Sequence, residues 1–182
     1  FDREALLGVS ITGWMNNPDI LFNEKILEKG AQIVKDVNRE VARIIGINPA
    51  ARTTCVKPSG NASVLLQTAS GIHAEHSPMY IRNVQMNKES EITQAIMKTN
   101  PYMVEESVWS AGGTDVVVSF PILPNKGSMY KDDLLGVKHL ELVKKAQKHW
   151  VEAGTNEELC ADKGVRHNVS NTIIVDDWDE VE

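Results

Sequence analysis

The sequence predicts an α/β fold, and three observations carry that prediction. Residues 24 to 45 repeat Ile26, Leu27, Ile33, Val34, Val37, Val41, Ile44 and Ile45 at helical spacing with Lys and Glu between them, the pattern of a long amphipathic helix. That helix feeds a β-type run through a short connection, Gly46 to Pro49, and a helix joined this way to a strand is the α/β unit. The alternation then returns. Leu134 to Ala153 is helical by its spacing of Leu135, Val137, Leu142, Val143, Ala146 and Trp150, and NVSNTIIV at 168 to 175 reads as a strand.

Taken in order, residues 5 to 15 mix small and apolar side chains around Gly8 and Gly13 and read as a short buried strand or a tightly packed turn. NNPD at 16 to 19 is a turn, and Asn23 is placed to cap the helix that follows. Gly46 is the stop signal of that helix and Asn48-Pro49 ends the element. The strand 51 to 57 halts at Pro58, which lacks a backbone donor. Ser59, Gly60, Asn61, Ala62 and Ser63 then form a turn small enough for backbone amides to approach a ligand. If Val64 opens a helical turn, its free N–H groups point at a bound anion, the general logic of phosphate sites at strand-to-helix turns. The central region has its own elements. Met79 to Met86 alternates as a strand, Lys88 to Lys98 is a short helix with Ile92, Ala95 and Ile96 inward, and Thr114 to Ile122 is a β-branched run opened by Gly112-Gly113.

At 182 residues the chain is long enough for one domain with a substantial core. Its 42% hydrophobic and 24% charged residues are ordinary for a globular protein. A net charge of −6 argues against gripping a nucleic-acid polymer by its phosphates. No apolar run reaches membrane-spanning length and the N-terminus lacks the pattern of a secretory signal, so no membrane partner is expected and the cytoplasm is the simplest address. Cys55 and Cys160 stand in unrelated contexts, and neither forms an exchange motif. His73-Ala74-Glu75-His76 sets two histidines three apart, a metal-binding spacing on a helix. Gly71 and Ser77-Pro78 oppose a helix there and no third ligand has a characteristic spacing, so loop histidines bonded to backbone are expected. Arg82 on the following strand could reach an anion, or simply be paired within the protein. Lys144, Lys145, Lys148 and His149 crowd one helix face and read as solvated.

TTCVKPSGNASVLL, SGIHAEHSPMYIRNV, GVSITG, DVVVSFPI and HNVSNTIIV occur in the order in which similar segments occur in ribonucleotide reductases. The chain resembles most closely the adenosylcobalamin-dependent ribonucleoside-triphosphate reductases, which carry K-P-S-G-T, P-G-I-H and Y-I-R-R. The resemblance implies part of a ten-stranded α/β barrel, with residues 1 to 182 as a C-terminal portion of the catalytic barrel and a fragment of a larger protein. It also implies that Pro58, Ser59, Gly60, Asn61 and Ala62 bind phosphate of a ribonucleotide substrate. His73 and Arg82 would lie near that substrate. Asn61 stands where the family has Thr, and Asn83 where it has a second Arg.

The same resemblance implies adenosylcobalamin as cofactor, an external thiol reductant, and a missing N-terminal barrel half or partner chain. In the family a thiyl radical forms on a cysteine within N-x-C-G-E, ahead of the GVSITG segment, aided by a glutamate two residues on and a redox-active cysteine pair. Cys55 is followed by Val56-Lys57 and Cys160 by Ala161-Asp162, so no catalytic residue is assigned and the chain alone is not expected to reduce ribonucleotides. An iron-dependent reductase of the same superfamily and a non-catalytic nucleotide-binding module are the alternatives. A glycyl-radical enzyme would need an R-V-x-G-Y motif, which this sequence lacks.

Overall fold

The computed structural model describes residues 4–180, the side chains of Asn61 and Glu180 excepted. It divides into two compact units, Phe1–Glu75 with Asn125–Glu182, and His76–Pro124.

In the first unit β1 (Ala5–Val9) is followed by a buried 3₁₀ turn, Trp14–Asn16, and the short helix α1 (Pro18–Leu21). α2 (Glu24–Ile45) begins and ends where its sequence signals lie. The Asn23 side chain accepts from the Ile26 amide, and Gly46, at φ 74°, returns its N–H to Ala42 O. β2 (Ala50–Thr54) pairs in parallel with β1, as expected of an α/β arrangement. α3 (Asn61–Leu65) starts three residues before Val64, directly from the Gly60 turn.

The second unit contains β3 (Tyr80–Asn87), α4 (Glu91–Thr99), β4 (Val104–Glu106) and β5 (Asp115–Ile122). These strands form an antiparallel sheet of order β3-β5-β4, with Gly112-Gly113 inside the β4–β5 connection. Val116 and Val118 are buried while their neighbours are half-buried, so the β-branched run is a one-sided strand. On α4 the inward position is Thr93; Ile92 and Ala95 are exposed, contrary to the helical-face expectation. The helix is anchored by its N-cap: Ser90 Oγ accepts the Thr93 amide and meets the Thr93 hydroxyl at 2.6 Å.

Back in the first unit, α5 (Gly136–Ala146) runs into a π-helical turn, Gln147–Glu152. The wider turn explains a departure from the expected solvated face. Lys144, Lys145 and Lys148 are exposed, but the π turn advances the register by a residue, and His149 is buried with Nδ1 2.7 Å from Glu28 Oε1 of α2. The core gathers Trp14, Met15, Phe22, Leu27, Ala31, Val56, Ile72, Leu134, Trp150 and Val151. Its two tryptophans satisfy their indole N–H groups on backbone, Trp14 on Ile11 O and Trp150 on Cys55 O, so burial of each ring contributes on the order of 3 kcal/mol without an orphaned donor.

The expected strand at 168 to 175 makes one parallel bridge, Val56 to Val169. Its remaining hydrogen bonds go elsewhere: the Thr172 amide donates to His73 Nε2, and Ile174 O accepts the Gly136 amide. A segment whose polar groups are spent on loops and side chains stays extended without building a ladder.

Candidate functional site

β2 delivers the chain to Pro58 through two threonines locked to the end of α5. The Thr53 amide and hydroxyl both donate to Gly154 O, and the Thr54 hydroxyl donates to Trp150 O at 2.6 Å. The loop that follows is therefore held at a fixed end of a rigid element. Its residues Pro58, Gly60 and Ala62 are exposed and Ser59 is half-buried. The Asn61 side chain, one of the residues implied in phosphate binding, lies outside the described residues.

Two glycines shape this loop. Gly60 adopts φ 47°, ψ −118°, a conformation that L residues rarely hold. Gly71 has φ 55°, and a Cβ there would stand 2.8 Å from Lys57 O. Residues 69 to 71 thus pack directly against the base of the 57–60 turn. Hydrogen bonds complete the junction. The Lys57 amide donates to Ser10 Oγ, the Ser59 amide to Ser70 Oγ, and the Gly71 amide to Thr12 Oγ1. The Ser59 and Thr12 hydroxyls are 2.8 Å apart, and Thr12 Oγ1 donates to Ala69 O.

A hydroxyl has one proton. With Thr12 donating to Ala69 O, the Ser59 proton points at Thr12. The Ala62 amide is taken by Ser59 O, whereas the Gly60 amide has no partner among the described residues and Gly60 is exposed. Lys57, exposed at the mouth of the loop, adds a positive charge. The arrangement can accept an anion through the Gly60 amide, the Lys57 ammonium and, after its proton turns outward, the Ser59 hydroxyl.

His73 is backbone-bonded, as its loop context predicts. Nδ1 donates to Ser70 O at 2.9 Å while Nε2 accepts the Thr172 amide, which sets the ring as the neutral Nδ1–H tautomer in this arrangement. His73 therefore ties the 70–73 turn to the C-terminal segment. Arg82 lies in the second unit on β3, with its guanidinium over the Tyr80 ring at 5.9 Å and Nη2 3.3 Å from the Tyr80 hydroxyl. His76, also in that unit, stacks edge-on against Tyr80. Cys55 is half-buried, and burial raises its thiol above the usual range despite the opposing pull of Lys57. Cys160 is likewise raised, chiefly by burial. Both thiols are thereby kept in the less reactive protonated form.

Sequence reasoning missed Ser10, Thr12, Asn16, Ser70 and Glu75. Ser10 and Thr12 sit two apart, so extended backbone puts both hydroxyls on one side, a signal present in GVSITG but passed over as core packing. The side chains of Asn16 and Glu75 are both buried: Asn16 Nδ2 donates to Glu75 Oε1 at 2.7 Å and to Ser128 Oγ at 3.1 Å, while Asn16 Oδ1 accepts the Ala69 amide. This junction holds the inner side of the 69–75 turn.

His139 of α5 is buried beneath the same turn, its Nε2 3.1 Å from Ile72 O. Burial lowers its pKa below the ordinary 6.5, against the Ile72 hydrogen bond, which raises it. The unfolded chain therefore binds the proton more readily than the folded one. Stability contributed by the neutral ring is complete above pH 6.5 and is lost as pH falls through the lower folded value. Urea midpoints taken from about pH 7.5 down to about 5 should fall for the natural chain, and His139→Gln should flatten part of that slope.

The two described pockets have volumes of about 170 Å³, lined by Met97, Pro101, Val104 and Val116, and about 190 Å³, lined by Glu4, Ala5, Asn48, Pro49 and Leu159. Both are below the roughly 300 Å³ at which small-molecule sites begin. Neither of these two pockets has room for a corrinoid. Among the described residues no group of three His, Cys, Asp or Glu side chains is placed to hold a metal, and no helix is long and apolar enough to cross a membrane.

Comparison with known proteins agrees with the sequence resemblance. The chain is 28% identical over 131 residues to a probable adenosylcobalamin-dependent ribonucleoside-triphosphate reductase of Dictyostelium discoideum, covering 72% of this chain and 16% of that protein. It is 23% identical over 163 residues to the adenosylcobalamin-dependent ribonucleoside-triphosphate reductase of Euglena gracilis, covering 88% of this chain and 22% of that one. The matched stretch is thus about a sixth of the first relative's length and about a fifth of the second's. A crystal structure of a B12-dependent, class II ribonucleotide reductase superposes with a TM-score of 0.55 at 18% identity, over 70% of this chain and 18% of that one. This likeness supports the α/β fold. No protein-family model matches the chain.

Proposed function

From its kinship with adenosylcobalamin-dependent ribonucleoside-triphosphate reductases, we propose that this chain is a C-terminal part of the ten-stranded catalytic barrel of a ribonucleotide reductase and supplies the loop that binds substrate phosphate. The observation that carries the reading is the Gly60 turn at the end of β2, fastened to residues 10–12 and 69–71 and presenting an open amide beside Lys57. β2 closes at Thr54, short of the expected 51 to 57, and an isolated bridge at Val56 carries the chain on to Pro58; Ser59 and the Gly60 amide meet the phosphate, and Asn61 with Ala62 continues into α3. His73 acts at one remove, by holding the 70–73 turn.

Reduction itself needs groups that this chain does not carry. Neither cysteine has the Gly-Glu that follows a radical cysteine, and both thiols are held protonated. Activity then depends on the remainder of the barrel, on adenosylcobalamin bound there, and on an external thiol reductant. Two surfaces suit a junction with that remainder. Among the described residues β1 pairs only with β2, which leaves its other edge open there, and α2 turns Ile26, Ile33, Val37, Val41 and Ile44 to solvent, a stripe too apolar for a free surface.

The test is an NMR titration of the 182-residue chain with ATP. Shifts should concentrate at Gly60 and its neighbours, and Ser59→Asp should weaken binding by about 100-fold by setting a carboxylate against phosphate. Equal affinity in the natural and Ser59→Asp chains would sink the loop assignment.

A further inference from the structure

We propose that Thr12 is a positioning residue of the phosphate loop: its hydroxyl is a reversible hydrogen-bond partner of Ser59 that lets Ser59 turn its proton to an anion without leaving a buried group unpaired. This rests on the phosphate-loop reading above and goes beyond it by assigning GVSITG a part in the site. Thr12 lies in a different segment from the loop, 47 residues away in sequence, and is tied to it by one bond to Ser59 and to the adjoining turn by two, to Ala69 and Gly71.

The argument is one of proton accounting. Thr12 Oγ1 is 2.8 Å from Ser59 Oγ and 2.9 Å from Ala69 O, and accepts the Gly71 amide at 2.9 Å. With no ligand, Thr12 donates to Ala69 O, so Ser59 must be the donor to Thr12. In that state Ser59 shows an approaching anion only lone pairs. For Ser59 to donate outward, Thr12 has to donate to Ser59 instead.

That reversal withdraws one proton from Ala69 O. Ala69 O also accepts the Gly13 amide at 3.0 Å, so it remains bonded. The Gly71 amide keeps Thr12 Oγ1 as its acceptor in both states. Every donor is therefore satisfied before and after, and Ala69 O keeps one of its two hydrogen bonds; the direction of the Thr12–Ser59 bond changes and the Thr12–Ala69 bond is lost. A hydroxyl that receives a hydrogen bond becomes a better donor, so Thr12 also strengthens Ser59 towards phosphate. No bond is made or broken covalently and no proton leaves either oxygen.

The structure distinguishes Thr12 from a packing residue because a methyl in place of its hydroxyl would keep the volume and remove both functions. Ser10 has a simpler part. It accepts the Lys57 amide at 3.0 Å and so anchors the other side of the turn.

The test compares the natural chain with Thr12→Val, Thr12→Ser and Ser59→Ala by NMR titration with ATP, after thermal melts establish that each is folded. In the natural chain the Gly60 and Gly71 amides should shift together, because reversing the relay changes where the proton of the Thr12 hydroxyl points while that oxygen goes on accepting from Gly71. Thr12→Val should bind about tenfold more weakly, with the Gly71 response lost. Thr12→Ser should restore both, a rescue that a purely packing role would not produce. Ser59→Ala should keep Gly71 silent on ATP addition while leaving Thr12 in place.

If Thr12→Val binds ATP as the natural chain does and its Gly71 amide still responds, the proposal is overturned. If the natural chain shows no response to ATP, the phosphate-loop reading fails, and with it the ligand-driven reversal. The clamp is then judged without ligand: exchange of the Gly71 amide that is faster in Thr12→Val and restored in Thr12→Ser upholds it, and equal exchange in all three chains overturns it.

Discussion

Replacing Gly154 with Ala should unfold the first unit or weaken it by about 3 kcal/mol or more, a larger loss than ordinary overpacking. A Cβ on Gly154 would overlap Thr54 Oγ1 and stand 2.7 Å from its Cγ2 and 2.8 Å from its Cβ. No side-chain rotation relieves the contact. Thr54 is buried and its hydroxyl is committed to Trp150 O, while Gly154 O receives both donors of Thr53. Moving either strand or turn would break the bonds that seat β2 against the end of α5. Gly46→Ala is the control: a Cβ there meets nothing within 4 Å, so only the left-handed backbone is strained, at about 1 kcal/mol. Urea denaturation of the two variants should give midpoints well apart. A Gly154→Ala midpoint equal to that of Gly46→Ala would show that the β2–α5 contact is looser than its geometry.

Asn16→Ala should cost about 3 kcal/mol, because three polar groups, two in the 69–75 turn and one at Ser128, lose their common partner at once. The amide receives the Ala69 N–H at 2.7 Å and donates to the Glu75 carboxylate and the Ser128 hydroxyl. All of this is buried, where a carboxylate deprived of a donor is expensive. Asn16→Asp keeps the size and the acceptor but sets a second carboxyl against Glu75. It should be at least as destabilised as Asn16→Ala at neutral pH and should recover part of the loss on acidification, as one carboxyl of the pair takes up a proton. Denaturation of both variants at two pH values reads the difference. An Asn16→Asp chain as stable as the natural one would mean that the donor to Glu75 matters little. The same variants bear on the site, since Asn16 holds Ala69 and Ala69 O receives Thr12.

What the sequence determined by itself is local. α2 could be bounded to the residue because Asn23 caps it and Gly46 stops it through contacts within one turn. The loop at 58 to 62 was legible for the same reason: a strand, a proline and a run of small residues announce a turn whatever lies around it. The similarity to ribonucleotide reductases was legible too, in the order of several short motifs, and relatives 28% and 23% identical to the chain agree with it. The strand expected at 168 to 175 was misjudged because β-propensity says nothing about whether a neighbouring edge will receive the ladder.

The tertiary structure alone decided which polar groups meet. His149 is buried because a π turn rotates it towards Glu28, and no helical wheel contains that turn. Thr12 reaches Ser59 across 47 residues and Asn16 reaches Glu75 across 59. Hydrogen bonds between short side chains are decided by distances of a few tenths of an ångström, which the packing of separate elements sets. A sequence places residues along one dimension, so it can name the serine in a small-residue turn; which hydroxyl faces that serine is settled only when the core closes beneath it.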